Sequence, residues 1–138
     1  MWIGIKNHGA EMNGSRLSKL SYSKRITFID NTKTPHGITR KLMNSLNTNL
    51  YIESGSIGLK SVLVADGSAD LFIKNVTVRD WDLAPAYVIL SEVGGDLSLI
   101  NGEKYNFTAS MDKDEGFIVS RDLKLKKEIL NAIESFKR

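Results

Sequence analysis

Cysteine is absent from the 138-residue chain, so disulfide bonds, thiolate catalysis and cysteine-ligated zinc sites are excluded. Histidine occurs twice, and His8 and His36 lie too far apart in the sequence to form a zinc-binding pair. No run of about 18 apolar residues occurs, so the sequence predicts no membrane association through a spanning helix. The first residues also lack the order of a signal peptide. From these absences we expect a cytoplasmic protein.

The composition is that of a globular domain. Hydrophobic residues make up 41% and charged residues 25% of the chain, which is ordinary for globular proteins. The length predicts a single domain over residues 1–138. The net charge is +3, but lysine and arginine are scattered and no basic-aromatic module occurs. The sequence therefore predicts no binding to nucleic acid.

Strand-like and helical segments alternate along the chain. Helices are predicted after Thr34-Pro35, after Gly55-Ser56, from Asp82 to Val93, and after Ser120 as a cap. Segment 6–14 is predicted to be a turn-rich connection, and residues 105–107 are predicted to return as a short hairpin partner. Strands are predicted at residues 1–5, 25–30, 50–52, 69–73, 96–100 and 116–119. This alternation predicts an α/β fold with a mixed, largely parallel sheet flanked by helices.

The stretch from Trp81 to Gly95 is the most informative in the chain. An acidic residue, Asp82, precedes a run of small and then apolar residues that ends in Gly94-Gly95. Asp82 is well suited to cap a helix without any catalytic meaning. The same carboxylate could instead bind a hard cation such as Mg²⁺. Ala84 would then keep the helix start clear for a bulky anion.

A second candidate site lies at Gly55-Ser56-Ile57-Gly58-Leu59-Lys60. Gly55 would allow a ligand to approach the backbone, and the N-terminus of the following helix could bind an anion. Ser56 could donate a hydrogen bond to phosphate, and Lys60 could supply a positive charge. Alternatively, Ser56 only caps the helix and Lys60 is a solvated lysine.

Both stretches resemble segments of the magnesium-dependent inositol monophosphatase family, which includes 3'(2'),5'-bisphosphate nucleotidases. Residues 55–70 are similar to the family's Gly-Ser-x-x-Leu-Lys and Val-Ala-x-Gly-x-Ala-Asp segments, in which Asp70 has a structural role. The resemblance implies the C-terminal domain of an inositol monophosphatase-like α/β sandwich. It also implies that Asp82 is a metal ligand for Mg²⁺ and that Ser56 and Lys60 hold the phosphate of a small phosphorylated metabolite.

The resemblance favours the nucleotidase branch. Inositol-specific members carry a glutamate seven residues before the metal-binding aspartate, and this chain has Asn75 there. The retained Lys60 favours the same branch. An inositol-1-monophosphatase half is the alternative within the family.

The family's other metal ligands lie in an N-terminal half that has no counterpart in this sequence. We therefore expect the chain to correspond to a C-terminal half that is inactive alone. Its partner would be the N-terminal half, or a second copy of the chain that associates through residues 1–5. A non-catalytic domain that binds a phosphorylated ligand or a partner is the competing interpretation, so the sequence leaves open whether the chain is an enzyme.

Overall fold

The computed structural model describes residues 1–21, 24–107 and 112–137. Along these residues the helices are α1 (Gly37–Ser45), α2 (Ile57–Ala65), α3 (Asp80–Glu92) and α4 (Leu123–Phe136). The strands are β1 (Trp2–Ile5), β2 (Gly9–Met12), β3 (Ser15–Arg16), β4 (Phe28–Asp30), β5 (Tyr51–Glu53), β6 (Leu71–Lys74), β7 (Val78–Arg79), β8 (Asp96–Leu99), β9 (Asp112–Lys113) and β10 (Phe117–Ser120).

A five-stranded sheet of order β5-β4-β6-β10-β8 forms the centre of the described fold. Strand β4 pairs in parallel with β5 and β6, and β10 pairs antiparallel with β6 and β8. Strand β10 thus runs opposite to the other four strands of the sheet. The predicted α/β class and mixed, largely parallel sheet are confirmed.

The sheet is covered by helices on both faces because its strands are apolar on both sides. Phe72 and Phe117 point to the face that carries α2 and α3 and meet edge to face at 5.2 Å. Leu71, Ile73 and Ile118 point to the other face and pack with α1 and α4. The alternation follows from the two-residue period of a strand.

A second sheet of order β1-β2-β3 packs against α3. Segment 6–14, predicted to be a turn-rich connection, contains strand β2, which pairs antiparallel with β1. The turn residues lie at the ends of that strand: Asn7 and Asn13 have φ of 67° and 51°. Gly4 allows close packing, since a Cβ there would lie 2.9 Å from Ile89. Strand β1 is an edge strand of this smaller sheet.

Several helix boundaries also differ from prediction. Helix α3 begins at Asp80, two residues before the predicted start, and therefore places Pro85 inside the helix instead of in its first turn. Helix α1 begins at Gly37, and the residues at Thr34-Pro35 precede it. Helix α4 is capped by Asp122, whose Oδ1 accepts a hydrogen bond from the Leu125 amide at 2.7 Å. The predicted cap, Ser120, belongs to β10 instead.

The predicted return of the chain after β8 is present but shifted. Ser98 forms a bridge with Lys104, and residues 105–107 lie outside any named strand. Strands β7 and β9, which pair antiparallel, were not predicted. Within the described ranges, no helix combines the length and the apolar character needed to cross a membrane.

Candidate functional site

The N-terminal ends of α2 and α3 meet at one open cleft of about 720 Å³. The two first turns are close, since a Cβ on Gly58 would lie 3.6 Å from the main-chain oxygen of Asp82. Both helix starts direct free N–H groups and the positive end of a helix dipole toward this region. The lining consists of Trp2, Ile3, Gly4, Ser56, Ile57, Gly58, Leu59, Val62, Trp81, Asp82, Pro85, Ala86 and Ile89.

Asp82 lies in the first turn of α3 and is half-buried in the cleft wall. Its Oδ2 accepts a hydrogen bond from the Arg79 amide at 3.3 Å, so Asp82 acts from the third helical position, back to the residue that precedes the helix, and not as the first cap residue. A carboxylate has two oxygens with several lone pairs, so one capping bond leaves capacity for a cation. Capping and metal binding are therefore compatible at this residue.

Ser56 is the N-cap of α2, and its Oγ accepts a hydrogen bond from the Leu59 amide at 3.0 Å. The residue is exposed and lines the cleft opposite Asp82. Gly55 and Ala84 are also exposed but lie outside the cleft lining. No atom lies within 4 Å of the position that a Cβ on Gly55 would occupy. The structure thus brings Ser56 and Asp82 together and leaves open space beside Gly55.

Lys60 lies beneath the start of α2, with only 2% of its surface exposed. Its Nζ donates to the main-chain oxygen of Gly55 at 3.3 Å and lies 4.8 Å from the centre of the Phe72 ring. Burial lowers the pKa of Lys60, the nearby Asp30 carboxylate opposes that change, and the charge of Lys74 adds to it. The alternative of a solvated lysine is therefore wrong.

Asp30 forms an ion pair with Lys74 at the end of β4. Its Oδ1 lies 2.7 Å from Nζ of Lys74, and the residue is 1% exposed. Lys60 is close enough for the same carboxylate to act on its pKa. This cluster leaves an excess of positive charge beneath the start of α2.

The fit of the site to Mg²⁺ rests on Asp82. Among the residues that the structure describes, no three His, Cys, Asp or Glu side chains form a group that could hold a metal ion. Mg²⁺ requires six oxygen ligands in a near-octahedral arrangement and retains several waters when proteins supply few of them. Asp82 therefore fits one coordination position of the ion.

The whole chain, residues 1–138, matches the model of the inositol monophosphatase family. The chain belongs to this family. Among curated relatives, the 3'(2'),5'-bisphosphate nucleotidase CysQ of Aggregatibacter actinomycetemcomitans is 37% identical over 81 residues, which cover 56% of this chain and 29% of CysQ. Inositol monophosphatase 1 of Bos taurus is 27% identical over 117 residues, covering 77% of this chain and 42% of the relative.

The fold agrees with this assignment. The crystal structure of inositol monophosphatase-II from Staphylococcus aureus superposes with a TM-score of 0.73 at 25% identity, over 91% of this chain and 47% of the staphylococcal one. The chain thus spans less than half the length of each of these relatives.

Asp70 has the structural role that the resemblance to the inositol monophosphatase family implied. Its Oδ1 lies 2.7 Å from Nη1 of Arg121, and its Oδ2 accepts a hydrogen bond from the Thr27 amide at 2.8 Å. These contacts connect β10 to the segment that leads into β4. Asp70 is not part of the cleft lining.

Sequence reasoning missed a buried cluster at the start of α3. Oδ1 of Asp80 accepts hydrogen bonds from Tyr105 Oη and Lys113 Nζ, both at 2.9 Å. Burial alone would raise the pKa of Asp80, but the hydrogen bond from Lys113, the hydrogen bond from Tyr105 and the Lys113 charge hold it below its usual range. Burial and the hydrogen bond to Asp80 raise the pKa of Tyr105. The one sequence signal was an acidic residue two positions before Asp82.

Replacing Lys60 by methionine should stabilise the fold. A buried ion pair is often less stabilising than apolar packing of similar volume, by about 1–4 kcal/mol, and Lys60→Met leaves Asp30 paired with Lys74. We expect the free energy of unfolding at neutral pH, measured with urea, to rise by about 1 kcal/mol or more. Lys74→Met is the control and should destabilise the fold, since it removes the closer partner of Asp30.

The stability that Lys60→Met adds should depend on pH. The pKa of folded Lys60 is lowered, so the unfolded state binds more protons between the folded and unfolded pKa values, and the stability of the unsubstituted chain rises with pH in that window. The advantage of Lys60→Met should therefore shrink as the pH approaches the ordinary lysine pKa. A loss of stability in Lys60→Met at neutral pH would contradict this account.

Proposed function

We propose that this chain is the C-terminal, substrate-holding part of a magnesium-dependent phosphomonoesterase that acts on a small phosphorylated metabolite. The observation that carries the proposal is the convergence of Ser56, Asp82 and two helix N-termini on one cleft. A phosphate placed there would meet free backbone N–H groups from two helices. Family membership supports the same class of reaction.

The charges around the cleft suit an anion bound together with a cation. The helix dipoles and the excess positive charge of Lys60 and Lys74 favour phosphate at the start of α2. Asp82 contributes negative charge at the start of α3, which suits Mg²⁺ better than phosphate. The arrangement would therefore hold phosphate and metal side by side.

Each residue then has a defined task. Asp82 would hold one Mg²⁺, which when bound lowers the pKa of a water molecule and stabilises charge on the phosphate. Ser56 and the backbone of the α2 start would orient the phosphate, and Gly55 and Ala84 would leave room for it. Lys60 would increase the positive potential there without entering solvent. The groups that activate water would come from outside the described cleft.

Within this class, we infer a 3'(2'),5'-bisphosphate nucleotidase-like substrate. Lys60 supplies a positive group beneath the phosphate site, and Asn75 is exposed and uncharged where inositol-specific relatives have an acidic residue. A ligand with two phosphates gains more from added positive charge than a ligand with one. The relative CysQ supports this choice, whereas bovine inositol monophosphatase 1 keeps the inositol-1-phosphate alternative open. A cytoplasmic location likewise remains a prediction.

A binding experiment tests the substrate class. We expect the chain, with Mg²⁺, to bind 3'-phosphoadenosine 5'-phosphate more tightly than inositol 1-phosphate, as followed by amide NMR shifts at the starts of α2 and α3. Lys60→Met should weaken binding of the bisphosphate, because it removes positive potential beneath the site without removing a direct contact, and should affect inositol 1-phosphate less. Lys41→Met, on the exposed side of α1, is the control. Tighter binding of inositol 1-phosphate, or equal losses for both ligands, would favour the inositol-phosphatase alternative.

We further propose that the free edge of β1 is covered by another polypeptide segment. The main-chain oxygens of Met1 and Ile5 face β2, because they accept hydrogen bonds from the amides of Asn13 and His8. Hydrogen-bonding groups alternate in direction along a strand, so the N–H and C=O groups of Trp2 and Gly4 face the open edge. Ile3 and Ile5 are 41% and 57% exposed beside that edge. Such an edge invites pairing with a further strand. The family's N-terminal half would occupy it when present, and a second copy of the chain would do so otherwise.

The isolated chain should therefore self-associate through residues 1–5. We expect sedimentation at micromolar concentrations to show a dimer or larger species. Ile5→Lys should shift it toward monomer, because a charge on the edge opposes pairing. Val76→Lys replaces another exposed apolar residue, 45% exposed and outside β1, and should leave association unchanged. A monomeric unsubstituted chain would refute the self-association.

The isolated chain should also lack significant phosphatase turnover. One carboxylate leaves Mg²⁺ mostly hydrated and weakly held, and the described residues contain no second ligand cluster. The purified chain is assayed with Mg²⁺ against 3'-phosphoadenosine 5'-phosphate and inositol 1-phosphate, and Asp82→Asn serves as the background. Magnesium-dependent turnover that Asp82→Asn abolishes would show that this chain holds a complete active site.

A further inference from the structure

We infer that Asp80, Tyr105 and Lys113 are positioning residues that fix the direction of the Asp82 carboxylate. This inference rests on the proposed function, because it treats Asp82 as the group that meets the metal. None of the three side chains lines the cleft. Their effect would reach the site through the first turn of α3.

The geometry of a helix connects Asp80 to Asp82. Successive residues are rotated by about 100°, so side chains two positions apart point to nearly opposite sides of the helix axis. Asp80 is 9% exposed and faces the interior, whereas Asp82 lines the cleft. Fixing the inward side chain therefore fixes the rotation of the turn and the aim of the outward one.

The interior contacts of Asp80 are strong enough to hold that rotation. Both hydrogen bonds to its Oδ1 measure 2.9 Å and are buried, and the partners Tyr105 and Lys113 are only 3% and 6% exposed. Nζ of Lys113 also lies 5.1 Å from the centre of the Tyr105 ring. Charge-assisted hydrogen bonds of this kind exceed neutral ones in strength.

The partners are themselves held by neighbouring elements. Lys113 belongs to β9, which pairs with β7 immediately before α3. The Tyr105 ring packs at 4.7 Å on Phe107, which packs at 5.2 Å on Tyr87 of α3. Tyr87 lies two helical turns after Asp80, so the first turn and the middle of α3 are fixed by connected contacts.

The exposed contacts near this cluster contribute less to holding the start of α3 in position. Arg79 and Asp112 form an ion pair of 3.6 Å in which both side chains are more than half exposed. Solvent screening leaves such pairs with little effect on stability. The buried side of the α3 start, rather than its exposed side, therefore determines the position of Asp82.

The test uses matched tyrosine variants of the full chain. Tyr105→Phe removes the phenol that donates to Asp80, and Tyr51→Phe removes a phenol that donates to the Thr32 carbonyl at 2.6 Å in the other hydrophobic layer. The first readout is hydrogen exchange of the Arg79 amide, which donates to Asp82, relative to the Val119 amide in the core. The second is the apparent Kd for Mn²⁺, from paramagnetic broadening of amides in residues 80–84.

We expect Tyr105→Phe to accelerate relative exchange of the Arg79 amide by about fivefold, as loss of one hydrogen bond implies. The Mn²⁺ Kd should rise by about the same factor, with Tyr51→Phe unchanged in both readouts. If the two variants show the same exchange rate of the Arg79 amide relative to the Val119 amide, the positioning role is overturned. If Asp82→Asn leaves the Mn²⁺ broadening unchanged, the proposed metal ligand fails, and the exchange comparison still decides the positioning role.

Discussion

The packing of α2 against α3 on one face of the central sheet determines the rest of the site. Helix α2 is almost entirely apolar, with Lys60 as its one charged residue, and such a helix must be buried on several sides. It packs on the sheet and against α3, which lies on the same face, and the small Gly58 lets the first turns of the two helices approach. Both N-termini then open on the same cleft, so an anion would meet two helix dipoles instead of one.

Buried ion pairs fix the segments that lead into this arrangement. Asp30 with Lys74, Asp70 with Arg121, and Asp80 with Lys113 each join different elements at distances of 2.7 to 2.9 Å. Such pairs stabilise a fold weakly because desolvation offsets the attraction, but breaking one leaves a buried charge without a partner. Their effect is to disfavour alternative packings, which matters most at the start of α3, where a small rotation would redirect Asp82.

The sequence allowed the central features to be predicted because they depend on local patterns. The period of apolar residues located the four helices and most strands, Ser56 marked the start of α2, and Asp82 located the start of α3 to within two residues. Strands β7 and β9 were missed because each has only two residues and depends on a partner distant in sequence. The burial of Lys60 was missed for a similar reason. An apolar helix does not reveal which face lies on the sheet, so the environment of its lysine is decided by tertiary packing.

Lys60 shows how stability and function can oppose each other in one side chain. Its ammonium donates to the Gly55 carbonyl, lies against an aromatic ring and is near the Asp30 carboxylate, which together compensate only part of the cost of burial. An apolar residue would satisfy the fold better, since most of the other residues of α2 are apolar. A positive charge in that position has its clearest use in the potential that it adds at the start of α2, where the described cleft presents backbone N–H groups. Lys60, which the fold alone would not favour, therefore fits a site that holds a phosphate.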